Sequence, residues 1–193
     1  MLDFGASLRG EESVEPRVVL ERVLSSTEAV VGAVDPDSLE RPTPCREWDV
    51  RALLNHLLGQ MWTFVGRLSG TEPPHSAAPG ALPDVDLVGD DPSAAYRQPA
   101  RAVLEAAGDP GAEERAGFAF GAYTTDVLVH GWDVAQATGQ DVNVDDDVAQ
   151  WCLDFVRQGL TGDNRSSAFG PEQPVPPDAS VMDELAAFTG RVP

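Results

Sequence analysis

The chain has 193 residues, of which 32 are acidic and 13 basic, so it carries a formal charge of −19, with 42% apolar side chains. Such a charge repels phosphate backbones and anionic lipid, which excludes nucleic acid and membrane surfaces as partners and leaves a small molecule. No apolar run reaches the roughly 18 residues of a membrane span, and the opening MLDFGASLRGEESVEP lacks the basic-then-apolar order of a secretory signal; a cytoplasmic protein is expected.

Residues 1–14 read as a tail ahead of a single domain over 15–193. PRVVLERVLSSTEAVVGAV has apolar residues at helical spacing and predicts a first helix from Pro16 to Val34. Three prolines interrupt the chain in DPDSLERPTPCREW, after which Asp49 can cap a second helix that ends near Gly70. Residues 71–90 are rich in proline, glycine and alanine without any period, and a surface connection with the character of a lid is expected there. A third helix starts with Asp91 as cap and Pro92 in the first turn, with Pro99 expected to bend or restart it. The fourth covers Gly121 to Thr138 and stops at Gly139. DDDVAQWCLDFVRQGL gives a fifth, its acidic start favourable to the helix dipole. The following GDNRSSAFGPEQPVPPDAS is loop or short strand, and MDELAAFTG is a last short helix. The fold class is therefore all-α, an antiparallel helical bundle with irregular extensions. Cys45 and Cys152 are too few for a disulfide framework and are expected as free thiols.

In YTTDVLVHGWDVAQATG, Asp126 and His130 stand one turn apart, offset by about 40° around the helix axis and about 6 Å along it. An imidazole and a carboxylate so placed can hold one metal ion, with a third ligand from another helix. His56 on the second helix is the natural candidate, since Ala52, Gln60 and Thr63 on its face are small or polar. The alternative is an ordinary helix-face ion pair between Asp126 and His130. Asp133, three residues after His130, either orients a ligand from behind or pairs with an arginine such as Arg51, and the ion pair is the preferred expectation. Gln60, one turn from His56, is a second candidate for outer support. His75 falls in the proline-rich connection and is expected to be solvated. Trp48 and Trp132 are expected as packing residues, and Cys45 as a small hydrophobe just before the second helix.

The runs LERPTPCREWDVRALLNHLLGQ, LVGDDPSAAYR, TTDVLVHGWDVAQATGQ and MDELAAFTGRVP, in this order, resemble an actinobacterial metal-binding family related to the N-terminal domain of mycothiol-dependent maleylpyruvate isomerase, within the wider DinB/YfiT-like group. The resemblance implies a four-helix bundle running up-down-down-up, with a long connection between helices 2 and 3 and a short C-terminal extension. It also implies a divalent metal, zinc or nickel, held by His56, Asp126 and His130. The isomerase relatives place Glu, and many others His, where this chain has Asp126, which is shorter. The isomerase resembled here carries a further C-terminal domain that the last 30 or so residues cannot build, so use of a low-molecular-weight thiol such as mycothiol is not inherited outright. The leading expectation is a metal-dependent enzyme of the thiol S-transferase or isomerase type, acting on a small-molecule substrate or thiol as a monomer or homodimer. The rival is a non-catalytic metal- or small-ligand-binding accessory protein on the same bundle.

Overall fold

The computed structural model describes residues 14–46, 48–75, 81–161, 165 and 169–193. Seven α-helices lie among them: α1 (Pro16–Gly32), α2 (Val50–Ser69), α3 (Pro92–Ala107), α4 (Ala112–Ala116), α5 (Phe118–Thr138), α6 (Asp146–Gly159) and α7 (Val181–Phe188). No strand is formed among the described residues; an isolated bridge joins Pro42 to Asp49. No helix among them is long and apolar enough to cross a membrane.

Local chemistry sets the boundaries. Asp49 accepts from the Ala52 N–H at 2.8 Å, Asp91 from that of Ala94 at 2.9 Å, and Ser180 from that of Asp183 at 3.1 Å. Each cap satisfies an orphan donor and contributes about 1 kcal/mol. Gly70 and Gly139 close α2 and α5 in the left-handed region, at φ 71° and 73°. The first helix ends two residues short of the expected Val34, and α5 starts at Phe118 rather than Gly121. The helix α3 runs through Pro99 without restarting, with the proline buried and the bond that its missing N–H would have made forfeited. The expected loop or strand after α6 contains no strand in its described part, and residues 162–164 and 166–168 of it lie outside the described residues.

Pairs of touching residues give the helix directions. Gly32 lies by Ser93 and Gly108 by Arg17, so α1 and α3 are antiparallel. Thr27 meets the Val127 carbonyl and Val30 accepts from Gln140, so α1 and α5 are parallel. Phe64 stacks on Tyr123 at 4.0 Å while His56 faces Asp126, so α2 opposes α5. With α1 up, α2 and α3 run down and α5 up, the DinB-like up-down-down-up order. The parallel α2 and α3 require a return path the length of a 20-residue helix, about 30 Å, which is what the segment after Gly70 spans.

Around the ring α1 packs on α5, α5 on α2, α2 on α3 and α3 on α1, while α6 and α7 cover the outside of α5. The core is leucine-rich, with Leu20, Leu24, Leu53, Leu57, Leu128 and Leu153 fully buried, each contributing about 1.5–3 kcal/mol through removal from water. The crossing of α1 and α5 is close: a Cβ on Gly131 would sit 2.8 Å from Thr27 Oγ1 and 3.2 Å from its Cγ2. Gly131→Ala is expected to destabilise by about 1 kcal/mol net: overpacking costs about 1–3 kcal/mol, and the roughly 1 kcal/mol gained in helix propensity offsets only part. A urea midpoint unchanged or raised in the variant would show that Thr27 simply moves aside.

Candidate metal centre

Three stretches of chain meet at one end of the α2–α5 contact. The second helix contributes His56, and α5 contributes Asp126 and His130 one turn apart. The turn before α2 is folded on itself by Thr43, whose hydroxyl donates to the Trp48 carbonyl at 2.8 Å, and whose N–H donates to the same oxygen. That turn lays Trp48 against His56, with ring centroids 4.5 Å apart, and its side chain packs on the core as expected. Trp132 is fully core.

Each donor atom of His56, Asp126 and His130 lies within 4.8 Å of the other two. Nε2 of His130 is 3.4 Å from Asp126 Oδ1, and Nε2 of His56 is 3.9 Å from Asp126 Oδ2. Ligands sharing a tetrahedral zinc at bond lengths of about 2.0–2.1 Å lie about 3.3 Å apart, so Asp126, though shorter than glutamate, is within reach. Both rings are turned by their other nitrogen. His56 Nδ1 is 2.9 Å from the Ala81 carbonyl, an acceptor only, so this nitrogen carries the proton and Nε2 of the neutral ring presents a lone pair. His130 Nδ1 donates likewise to Asp133 Oδ2 at 3.0 Å. Two imidazoles with Nδ1 committed to acceptors and Nε2 converging on a carboxylate match the donor set of a zinc-type site and its outer support.

Charge is concentrated behind the cluster. Asp133, wholly buried, is gripped by the equally buried Arg191, whose Nε and Nη2 donate to its two oxygens at 3.2 and 2.9 Å. Burial opposes the charge of Asp133, but His130 and Arg191 outweigh it and hold the carboxyl below its usual range. Burial likewise acts to raise Asp126, and is outweighed by His130 and His56. For His130 burial acts against protonation, yet Asp126 and Asp133 carry its pKa up to about 9. His56 goes the other way: burial prevails over Asp126 and lowers it, so this ring is neutral at pH 7.

Of the residues picked out in the sequence, His56, Asp126, His130 and Asp133 come together. Gln60 lies one turn along α2 from His56, half-buried, and His75 is exposed on the connection against Trp62. The expected pairing of Asp133 with Arg51 is not found. Arg51 sits in the first turn of α2 and binds Asp86 at 2.8 Å and the Gly89 carbonyl at 3.2 Å, while Asp133 faces inward to Arg191. Cys45, half-buried rather than enclosed, has its Sγ in a second close group with His130 and Asp133. Nor is the described part of the connection a free lid: Asn55 donates to Asp86 and accepts from the Leu87 N–H, and Ala81 holds His56. Two contributors escaped sequence reasoning, Arg191 and the Ala81 carbonyl. The GR pair after the last helix was visible, but nothing in its spacing pointed to Asp133.

Fold and site together define an all-α DinB-like bundle with a cluster of two histidines and an aspartate between its second helix and its fifth. The chain belongs to the family described as the mycothiol maleylpyruvate isomerase N-terminal domain, whose model matches residues 20–135. That span includes His56, Asp126, His130 and Asp133 and ends before Arg191. Over nearly its whole length the chain is similar to uncharacterized proteins of two Mycobacterium tuberculosis strains, each 31% identical over 191 residues, which cover 92% of this chain and 98% of the relative. No solved structure gives a significant match.

Proposed function

We propose that His56, His130 and Asp126 hold a divalent cation, zinc or nickel, and that the protein is a thiol-dependent transferase or isomerase. The observation that carries this reading is the orientation of the two rings, each with Nδ1 spent on a fixed acceptor and Nε2 turned to Asp126. An ion pair needs one imidazole; the second, neutral and buried ring of His56 has no electrostatic reason to face the same carboxylate. Bound there, the cation would act as a Lewis acid, stabilising the thiolate of a low-molecular-weight thiol such as mycothiol or polarising a carbonyl. Three protein ligands leave a position open. Asp126, 31% exposed while both histidines are buried, stands at the edge by which a small molecule would approach. The role of Asp133 is to fix the tautomer of His130, and that of Arg191 to keep Asp133 ionised and in place.

The test joins metal analysis to turnover. Purified protein should carry one equivalent of metal, and the loaded protein should accelerate the reaction of a low-molecular-weight thiol with maleyl compounds, epoxides or haloaromatics above free metal. A second reading, a binding protein without turnover, has one observation in its favour. His130 and Asp133 are tied to each other, and Asp133 to Arg191 as well, so neither stands free as a general acid or base. Stoichiometric metal with no rate above the free ion would select it.

Metal loading should be linked to protons. Without metal His130 is protonated up to about pH 9, while ligation requires it neutral. Binding at pH 7.5 should therefore release about one proton, from His130, and the apparent affinity should rise about tenfold per pH unit up to that value. The sign for stability follows. The raised pKa means that the His130 ion pair stabilises the metal-free fold fully below the unfolded value of about 6.5 and is lost as pH climbs through 9. Chelator should thus lower the melting temperature more at pH 8 than at pH 6. Calorimetric titration in buffers of different ionisation enthalpy reads the proton count, and no release would contradict ligation by His130.

A further inference from the structure

Building on the metal-dependent reading above, we infer that the substrate bound beside the cluster is a single-ring aromatic compound without negative charge, neutral or cationic, seated between α5 and α6 with its polar head at Asp126. A cavity of about 230 Å³ opens there, walled by Phe118, Val129, Phe155 and Leu160, with Asp126 the only charged residue among its described lining. A buried apolar cavity of about 150 Å³ takes benzene, so this one has room for a ring and a short substituent. It lies directly against the metal-binding cluster because Asp126 belongs to both: residues 118, 122, 125 and 129 of α5 face the cavity, while 126, 130 and 133 turn toward the ligands.

The cavity is kept open by two glycines. A Cβ on Gly121 would fall 2.3 Å from the Phe155 ring, and one on Gly159 would fall 3.3 Å from the Phe118 ring. Each ring lies back against bare backbone instead of filling the space. Phe118 and Phe155 are 5.0 Å apart and Trp151 stacks on Phe155 at 7°, which makes a firm aromatic wall. Such a wall favours the offset or edge contacts of another ring.

Polar groups sit at one edge only. The Thr125 hydroxyl is 2% exposed and has no hydrogen bond of ordinary strength among the described residues, whereas its neighbour Thr124 gives its hydroxyl to the Phe120 carbonyl at 2.8 Å. The Cys152 thiol near Thr125 is only a weak partner, held protonated with its pKa pushed up to about 12 by burial. The Thr125 hydroxyl has no accessible surface, so the polar group that a ligand meets at that edge is the Asp126 carboxylate. A ligand carboxylate meets no cationic side chain among the described lining residues and lies near Asp126 in a strongly acidic protein, whereas a neutral or cationic head is not repelled. Dicarboxylates of the maleyl type are therefore poor candidates for this cavity.

The experiment uses the full chain stripped with chelator, so that the cavity is probed apart from any metal. Benzyl alcohol, benzoate and benzylammonium are titrated by ligand-observed NMR. Benzyl alcohol and benzylammonium should each bind at least tenfold more tightly than benzoate. Ala122→Phe, which fills the cavity from the half-buried side, should weaken benzyl alcohol at least tenfold and leave zinc binding within about twofold. Binding of benzoate to wild type as tight as that of the other two overturns the inference, as does a folded Ala122→Phe variant that binds benzyl alcohol as before. Zinc binding is titrated in parallel: its failure with benzyl alcohol retained sinks the metal reading and leaves the cavity, and the converse sinks the cavity alone. The wild-type selectivity decides the matter even if the variant does not fold.

Discussion

Asp133→Ala is expected to lower the unfolding free energy by about 3–5 kcal/mol. The carboxylate is fully buried and receives both Arg191 contacts as well as the His130 Nδ1–H. Its removal strips a guanidinium 6% exposed of the carboxylate that its Nε and Nη2 bind, and breaking one half of a buried pair costs more than the pair contributes. The comparison that isolates the cause is Asp133→Ala combined with Arg191→Met, which removes the stranded cation and should recover a substantial part of the loss. Urea unfolding measures all three variants. A single variant within about 1 kcal/mol of wild type would mean that Arg191 finds water or another acceptor.

The second large effect falls on the metal. His56→Ala and His130→Ala should each weaken zinc binding by more than about 100-fold, because loss of an outer partner alone typically costs 10–100-fold. The bundle itself should persist, since the leucine core on the other helix faces is untouched. Asp133→Asn should lie between, and its effect should be strongest on the pH dependence of binding, because the amide can accept the His130 N–H but cannot draw charge onto the ring. Competition with a chromogenic chelator gives the affinities. Binding retained in His56→Ala would remove the second helix from the site.

The bundle was legible where a local signal and a tertiary demand coincide. Asp49 and Gly70 mark the ends of α2 in sequence because capping and left-handed closure are one-residue effects, and the structure ends the helix at the same places. Pro99 does not restart the helix, because its cost is local and is outweighed by the packing of α3 on both α1 and α2. The short α4 was missed since five residues bracketed by Gly111 and Gly117 carry no period. In the cluster, Asp126 and His130 are legible from one-turn spacing, and His56 from its polar helix face together with the family resemblance. Arg191 was not: it reaches Asp133 across 58 residues of sequence, and no periodicity records such a meeting. The Ala81 carbonyl was invisible for a different reason, since a main-chain acceptor leaves no mark on the residue type that supplies it.

That last contact constrains the connection between α2 and α3 in an unusual way. The Ala81 oxygen reaches His56, Asp86 is bound by Asn55 and Arg51, and the Gly89 oxygen takes Arg51, so this stretch is laced to the first two turns of α2. A carbonyl serves equally well from almost any residue. Substitutions at position 81 should pass unnoticed, whereas inserting or deleting one residue between Ala81 and Asp86 would carry the oxygen off its mark and release the imidazole to rotate. The segment is free to drift in composition while its length is held fixed by a histidine it never meets in sequence.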